Sequence, residues 1–321
     1  MESADLFGGK WMLIVEKVMS GSRPCVSIGL PVYNGERFLP QTLDSLLAQT
    51  FENFELILAD NASTDSTGDI CRTYAGRDRR VRYVRNASNI GVYRNCNRVF
   101  GLCTGEYFKL ACADDLCHPD LLSRCVEVLD LDPTVVATYA KTRFIDHDGQ
   151  RLGLSDPGWH LMADSPTDRM RYVISSGHWV NVLFGLTRLR DLGQTRLFPA
   201  YVSGDYRLLG ELCLKGRFLE IPEYLFFRRI HPSASSQNTD VDWQSEFYTG
   251  RRGRLELPFW HLCFDHARTV VCSELSLRQK TSCLGMIVTR MFSGKRQLLD
   301  ELHSAGKCLS KRVCSIGVDL E

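Results

Sequence analysis

The chain has few of the features that mark secreted, membrane-spanning or nucleic-acid-binding proteins. The apolar patch Trp11 to Val15 is too brief for a signal segment, and no stretch approaches the ~18 uninterrupted apolar residues of a bilayer span, so none is expected. Neither charge sign is in surplus. The 39 Lys and Arg against 38 Asp and Glu leave +1 over 321 residues, which removes the polybasic signature of a nucleic-acid binder. The thirteen cysteines include no C-x-x-C pair, which excludes the common zinc and redox spacings. Their odd number and their apolar settings, as in Val99 to Cys103 and Ala111 to Cys117, predict reduced core thiols in a cytoplasmic protein. Internal repeats and low-complexity tracts are absent. What remains, 44% hydrophobic and 24% charged, is an ordinary globular composition with room for one large core or two modest ones.

From Cys25 a regular rhythm begins. Strand-like apolar runs fall at Val26 to Leu30, Phe54 to Ala59, Val81 to Val84, Tyr107 to Ala111 and Val135 to Tyr139. Segments of helical period lie between them, at Glu36 to Gln49, Asp65 to Ala75, Gly91 to Cys103 and His118 to Asp130, the first carrying Leu39, Leu43, Leu46 and Leu47 on one face. Strand alternating with helix predicts an α/β fold, a mostly parallel Rossmann-like sheet flanked by helices. Beyond residue 146 the rhythm weakens. Helices are expected at Thr167 to Ser176 and Asp205 to Lys215, an apolar run at Val180 to Leu186, strands at Phe218 to Ile221 and Tyr224 to Ile230, and a basic helical tail from Leu275 to Lys307.

Ligands of open α/β sheets sit beyond the carboxyl ends of the strands, and here those ends are unusually polar. The first four runs are followed by Pro31-Val32-Tyr33-Asn34, by Asp60-Asn61-Ala62-Ser63-Thr64-Asp65, by Asn86 to Gly91 and by Asp114-Asp115. Adjacent carboxylates repel unless a cation offsets them, and hard divalent ions take such oxygens together with substrate phosphates. The plain alternative is that one of the pair caps the helix beginning near Pro119. Asp60 and Asn61 are read as ligand-facing, and Ser63 and Asp65 as satisfying a helix start. Asn89, Gly91, Arg94 and Asn95 form a third polar cluster, in which Arg94 either pairs with phosphate or is simply solvated.

In order along the chain, VSIGLPVYNGERFL, SLLAQTFENFELILADNASTDST and NASNIGVYRNCNRVFGLCTGEYFKLACADDLCHPDLL resemble the nucleotide-sugar-binding half of family 2 glycosyltransferases, over Val26 to Asp146. That resemblance implies the fold called GT-A and an inverting, metal-assisted transfer of a sugar from a nucleotide-diphosphate donor, UDP-sugar favoured, to an acceptor hydroxyl. By it, Pro31, Tyr33, Asn34 and Glu36 line the nucleoside, Asp60 contacts the base, Asp114 approaches the ribose and Asp115 holds Mn2+ or Mg2+. Many relatives carry an Asp-x-Asp, and here the first of those places is Cys112. The stretch Val202-Ser203-Gly204-Asp205-Tyr206-Arg207-Leu208-Leu209 matches the element bearing the family's general base, with Gly204 where many relatives carry Glu; the base is Asp205, or else Asp205 is a helix cap. In Arg228-Arg229-Ile230-His231-Pro232, Arg229 is expected to neutralise the leaving group and His231 to donate to phosphate or join the metal, the alternative being a surface-facing basic edge. His178, Trp179 and Asn181 either shape the acceptor pocket or, the reading preferred for Trp179, include a buried aromatic that anchors the second layer.

The resulting division is an N-terminal extension over 1–24, a glycosyltransferase domain over 25–235 (donor half 25–146, acceptor half 147–235), and a helical C-terminal region over 236–321. The expected partners are a nucleotide-sugar and a glycan, lipid-linked or small-molecule acceptor, with no nucleic acid. The basic tail, with Arg290, Lys295, Arg296, Lys307, Lys311 and Arg312 among Ile287, Met291, Phe292 and Leu298, is expected to pack, with a peripheral contact at the inner face of a membrane or a homodimer as the alternatives. Two rival functions remain. A sugar nucleotidyltransferase would show a Gly-rich basic loop after the first strand, which Pro31 to Arg37 does not resemble. A binding module without turnover would have less reason to keep Asp60, Asp115 and Asp205 together.

Overall fold

The computed structural model describes residues 23–155, 158–175, 180–235, 237–238, 240–252 and 257–318. The extension over 1–24, all but its last two residues, lies outside them, as do His178 and Trp179. The first half alternates strand and helix as expected: β1 (Val26–Val32), α1 (Leu39–Leu47), β2 (Phe54–Asp60), α2 (Thr67–Arg77), β3 (Val81–Arg85), α3 (Val92–Phe100), β4 (Tyr107–Leu110), β5 (Leu116–Cys117), α4 (Leu121–Leu131) and β6 (Val135–Ile145). Pro40 sits in the first turn of α1, where a missing N–H costs nothing. The second half adds β7 (Arg151–Ser155), α5 (Pro166–Ser175), β8 (Leu186–Arg188), α6 (Leu189–Gly193), α7 (Gly204–Lys215), β9 (Arg217–Arg229), α8 (Val241–Thr249), α9 (Pro258–Cys272), α10 (Leu277–Ser293) and α11 (Lys295–Val318).

All nine strands join one sheet, in the order β3-β2-β1-β4-β8-β6-β9-β5 with β7 beside β6. The parallel pairs β1·β2, β2·β3, β1·β4 and β6·β9, with β8 antiparallel to both β4 and β6, give six strands the same direction. Six carboxyl ends therefore open on one edge. Alternation along the strands sends side chains to two cores. Leu56 and Leu58 of β2 face α1, α2 and α4 through Leu39, Leu43, Leu46, Cys71, Leu122 and Cys125. Ile57 and Ala59 face α3, α5, α7, α9 and α10 through Val99, Met170, Leu208, Cys263 and Ile287. The eleven cysteines with described side chains are all unpaired.

Three sequence expectations shift. The two strands at Phe218 to Ile221 and Tyr224 to Ile230 are a single β9, whose pairing with β6 jumps from Ala140↔Ile221 to Lys141↔Tyr224. Pro222 falls in that jump, where an irregularity absorbs a residue that cannot donate to the ladder. The run Val180 to Leu186 is a 3-10 turn over Asn181–Phe184 and the start of the short β8, joined at Gly185. A Cβ at Gly185 would lie 2.0 Å from the Thr138 carbonyl oxygen, so glycine is what lets the two backbones meet. The basic tail is two helices, divided at Gly294.

Candidate functional site

The edge where the six strands end is a crevice walled by two interlocked loops. After β1, Asn34 takes a left-handed turn (φ 50°), its N–H donating to Ser63 Oγ at 3.0 Å and its side-chain oxygen accepting from the Thr64 N–H at 2.8 Å. Gly35 N–H donates to Thr67 Oγ1, Glu36 N–H to Asp65, and Ser66 N–H back to Glu36 Oε2 at 2.9 Å. The loops after β1 and β2 thus form a single rigid wall. Tyr33, 44% exposed, stands out from it as a free aromatic face. Pro31 lies within β1, opposite Ala59.

Asp60 is fully buried. One oxygen accepts from the Ser63 N–H at 2.7 Å, the other from the Tyr83 hydroxyl at 2.8 Å, and Arg85 pairs with it. Burial alone would raise its pKa, but the Ser63 and Tyr83 hydrogen bonds and the Arg85 charge outweigh it and hold the carboxyl below its usual range. Asn61 accepts from Asn86 Nδ2 and from the Ile90 N–H, and donates to Asn89 Oδ1 at 2.7 Å; Asn89 in turn accepts from the Gly91 N–H. These amides pin the loop after β3 to the loop after β2. Arg94 is exposed on α3 and donates to the Thr249 carbonyl.

The acidic pair follows β4. Asp115 is 5% exposed, and its Oδ1 accepts from the Arg229 N–H at 2.9 Å. Burial first, and the neighbouring Asp114 charge second, push its pKa up to about 7. Asp114, a third exposed, receives His231 Nε2 at 3.1 Å. Ligand atoms of Cys112, Asp114 and Asp115 all lie within 4.8 Å of one another. Two carboxylates so close, one of them buried, suit a hard divalent cation, which would relieve the repulsion on Asp115. His231 reaches this cluster only through Asp114, and Phe38 packs on its ring at 4.8 Å.

Arg229 is 2% exposed. Its Nε donates to the Asp114 carbonyl at 2.8 Å, one terminal nitrogen to the carbonyls of Asp146 and His147, the other to Gln41 Oε1 at 2.9 Å, while the Phe38 ring lies 4.6 Å beneath. Four of its five N–H donors are thus engaged, and it ties four segments together. Arg228, its neighbour on β9, points to the opposite side, as adjacent strand residues must. There it donates to Asn181 Oδ1 at 2.6 Å, and its charge lowers the pKa of both Asp115 and Asp205.

Asp205 stands in the first turn of α7, beyond a Ser203 held at φ 65°. Burial raises its pKa to about 6, against hydrogen bonds from the Tyr206 N–H and the Tyr93 hydroxyl and the charge of Arg228. Tyr93 comes from α3 and Tyr248 from α8, and burial first, with the Asp205 charge second, raises the pKa of both hydroxyls. A carboxylate poised near neutrality in an apolar, tyrosine-lined setting has the character of a general base.

Of the residues singled out in sequence, Asp114, Asp115, Arg229 and His231 meet directly, and Asn34, Glu36, Asp60, Asn61 and Asn89 meet in the wall. Arg228, Tyr93, Tyr248, Phe38 and Gln41 were not singled out as site residues. Only Arg228 left a signal, since two adjacent strand arginines cannot both face one side. Two cavities lie away from this crevice: one of about 470 Å3 at the amino ends of the strands, lined by Phe100, Glu106 and Arg190, and one of about 330 Å3 behind α7, lined by Tyr206, His266 and Arg290.

Residues 27–181 match the family described as Glycosyl transferase family 2. The chain is 25% identical to the Escherichia coli chondroitin synthase over 227 residues, 70% of this chain and 32% of that one. Across the first three curated relatives it matches, the matched stretch makes up 17, 32 and 40% of their lengths. Among solved structures, S. aureus TarS 1-349 in complex with UDP-GlcNAc superposes with a TM-score of 0.66 at 17% identity, covering 90% of this chain and 82% of that one. The mannosyltransferase PcManGT from Pyrobaculum calidifontis, in complex with GDP-Man and Mn2+, superposes with a TM-score of 0.54 at 16% identity, covering 97 and 88%.

Proposed function

The chain carries a family 2 glycosyltransferase domain over residues 27–181 in a GT-A-like fold, and from that premise we propose that it transfers a sugar from a nucleotide diphosphate to an acceptor hydroxyl with inversion. The observation that carries this reading is the placement of Asp115 and Asp205 within electrostatic reach of the same Arg228. One carboxylate belongs to a pair suited to a cation, the other to a desolvated base. The donor half, 25–146, supplies the wall of Tyr33, Asn34 and Glu36 for the nucleoside; 147–235 supplies the acceptor side.

Asp114 and Asp115, with Cys112 beside them, would hold a divalent cation, which supplies charge stabilisation to a departing diphosphate. Asp205 takes the proton of the acceptor hydroxyl as that oxygen attacks the anomeric carbon. The Arg228 charge acts on both carboxylates and would offset developing negative charge. The Tyr93 hydroxyl hydrogen-bonds to Asp205 and helps to orient it. UDP-sugar is the favoured donor: the TarS structure holds UDP-GlcNAc, while PcManGT holds GDP-Man.

The test is calorimetry of UDP, GDP and dTDP with and without Mn2+. Binding of one diphosphate that requires the metal and disappears in Asp115→Ala is the expected result. Equal binding by Asp115→Ala would place the metal elsewhere, and no binding by any diphosphate would favour a module without turnover.

A further inference from the structure

The C-terminal helices pack through one face and leave another bare. In α10, Cys283 and Ile287 turn inward, whereas Arg278, Thr281, Gly285, Val288 and Phe292, at alternating steps of three and four, form an exposed stripe. In α11, Leu298 and Ala305 are buried while Leu299 and Leu302 are exposed. Phe264 and Val271 project from α9, and Trp260, stacked on Phe264 at 5.8 Å, donates to the Leu298 carbonyl and so ties that exposed aromatic to α11. Of the ten large hydrophobic side chains exposed among the described residues, seven lie in α9–α11. Phe292 is 73% exposed and Leu277 84%.

The charge of the same segment is one-sided. Together α10 and α11 hold eight Lys and Arg against two Asp and Glu, so the rest of a chain of net charge +1 is at −5. One of the two acids, Glu301, is turned inward, accepting the N–H groups of Phe259 and Trp260 at the start of α9. Arg278, Lys295 and Arg296 are exposed beside the apolar stripe.

We infer that this α9–α11 face docks on the surface of an anionic lipid bilayer. Exposed Phe, Leu and Val enter the headgroup boundary while the flanking Lys and Arg meet anionic headgroups. No helix among the described residues is long and apolar enough to cross a membrane, so the contact is one of lying on the surface. A second copy of the chain fits the face less well. A two-fold contact would set this surplus of positive charge against itself. The inference rests on the surface alone and is independent of the proposed reaction.

The experiment is flotation of the full chain with phosphatidylcholine vesicles, with and without roughly one quarter phosphatidylglycerol. Binding should require the anionic lipid and fall as salt rises. Phe292→Glu with Leu299→Glu should weaken it roughly tenfold. Separately, neutralising Lys295 and Arg296 to Gln should weaken it roughly thirtyfold at about one fivefold step per basic residue. All these side chains are exposed, so thermal melts matching the parent should accompany the loss. Binding equal on both vesicle types, binding to neither, or a dimer in sedimentation equilibrium that Phe292→Glu dissociates would each overturn the inference, the last assigning the face to a second copy.

Discussion

Asp205 owes its character to a balance at one carboxyl group. Burial raises its pKa to about 6, and the Arg228 charge is among the forces pulling it back. If it is the base, kcat/KM should fall as pH drops through about 6, since protonation removes the acceptor for the hydroxyl proton. Arg228→Gln should shift that acid limb upward, and Asp205→Asn should cut turnover by roughly 10²- to 10⁴-fold. Stability carries the opposite sign. A pKa raised on folding means that the stabilising state is the protonated one, present in full below the unfolded value and lost as pH rises through about 6. Asp205→Asn should therefore melt higher than the parent at pH values above that range, with the advantage shrinking in acid; pH-resolved thermal melts check this. Arg229 is the contrasting residue. Arg229→Met would leave the carbonyls of Asp114, Asp146 and His147 without their donor, at a cost of about 3 kcal/mol in denaturant unfolding.

Among the elements, the first turn of α7 is closely packed. Gly204 is buried, and a Cβ there would lie 2.5 Å from Pro199 Cγ and 3.0 Å from the Pro199 carbonyl oxygen. Neither atom is the free end of a flexible chain. Gly204→Glu, the residue found there in many family relatives, should destabilise the fold by about 1–3 kcal/mol, visible as a lowered thermal midpoint, and displace Asp205 with it. The strand ends show how much of an element the sequence carries. Asp60, Asp114 and Asp115 follow apolar runs so regular that their shared edge was legible from periodicity. The two strand runs on either side of Pro222 join into one β9, because the pairing with β6 continues past the proline as an irregularity.

For the whole molecule, the crevice is assembled from loops far apart in sequence, so a ligand bridging them should stabilise everything it joins. Mn2+ with the matching nucleoside diphosphate at a hundredfold its Kd should add about 2.7 kcal/mol, and a chelator should return the melting midpoint to that of the apo protein. A midpoint unmoved by metal and diphosphate together would speak against the proposed cation site. Sequence by itself determined the alternation of strand and helix, the edge on which the polar residues gather and the acidic pair that follows β4, because periodicity and strand-end chemistry are local, whereas Asp205 was proposed only through the family resemblance of its segment. What only the tertiary structure decided is which groups are already spoken for. Asn89 and Asn34 serve the wall, Arg229 clamps four segments, and Arg228 faces both acidic centres, since their hydrogen-bond partners and charges come from positions up to 188 residues away. The exposed basic face of α10 and α11 belongs with these, because the amphipathic pattern of a helix shows that one side is apolar while only packing shows which apolar residues are left without a core.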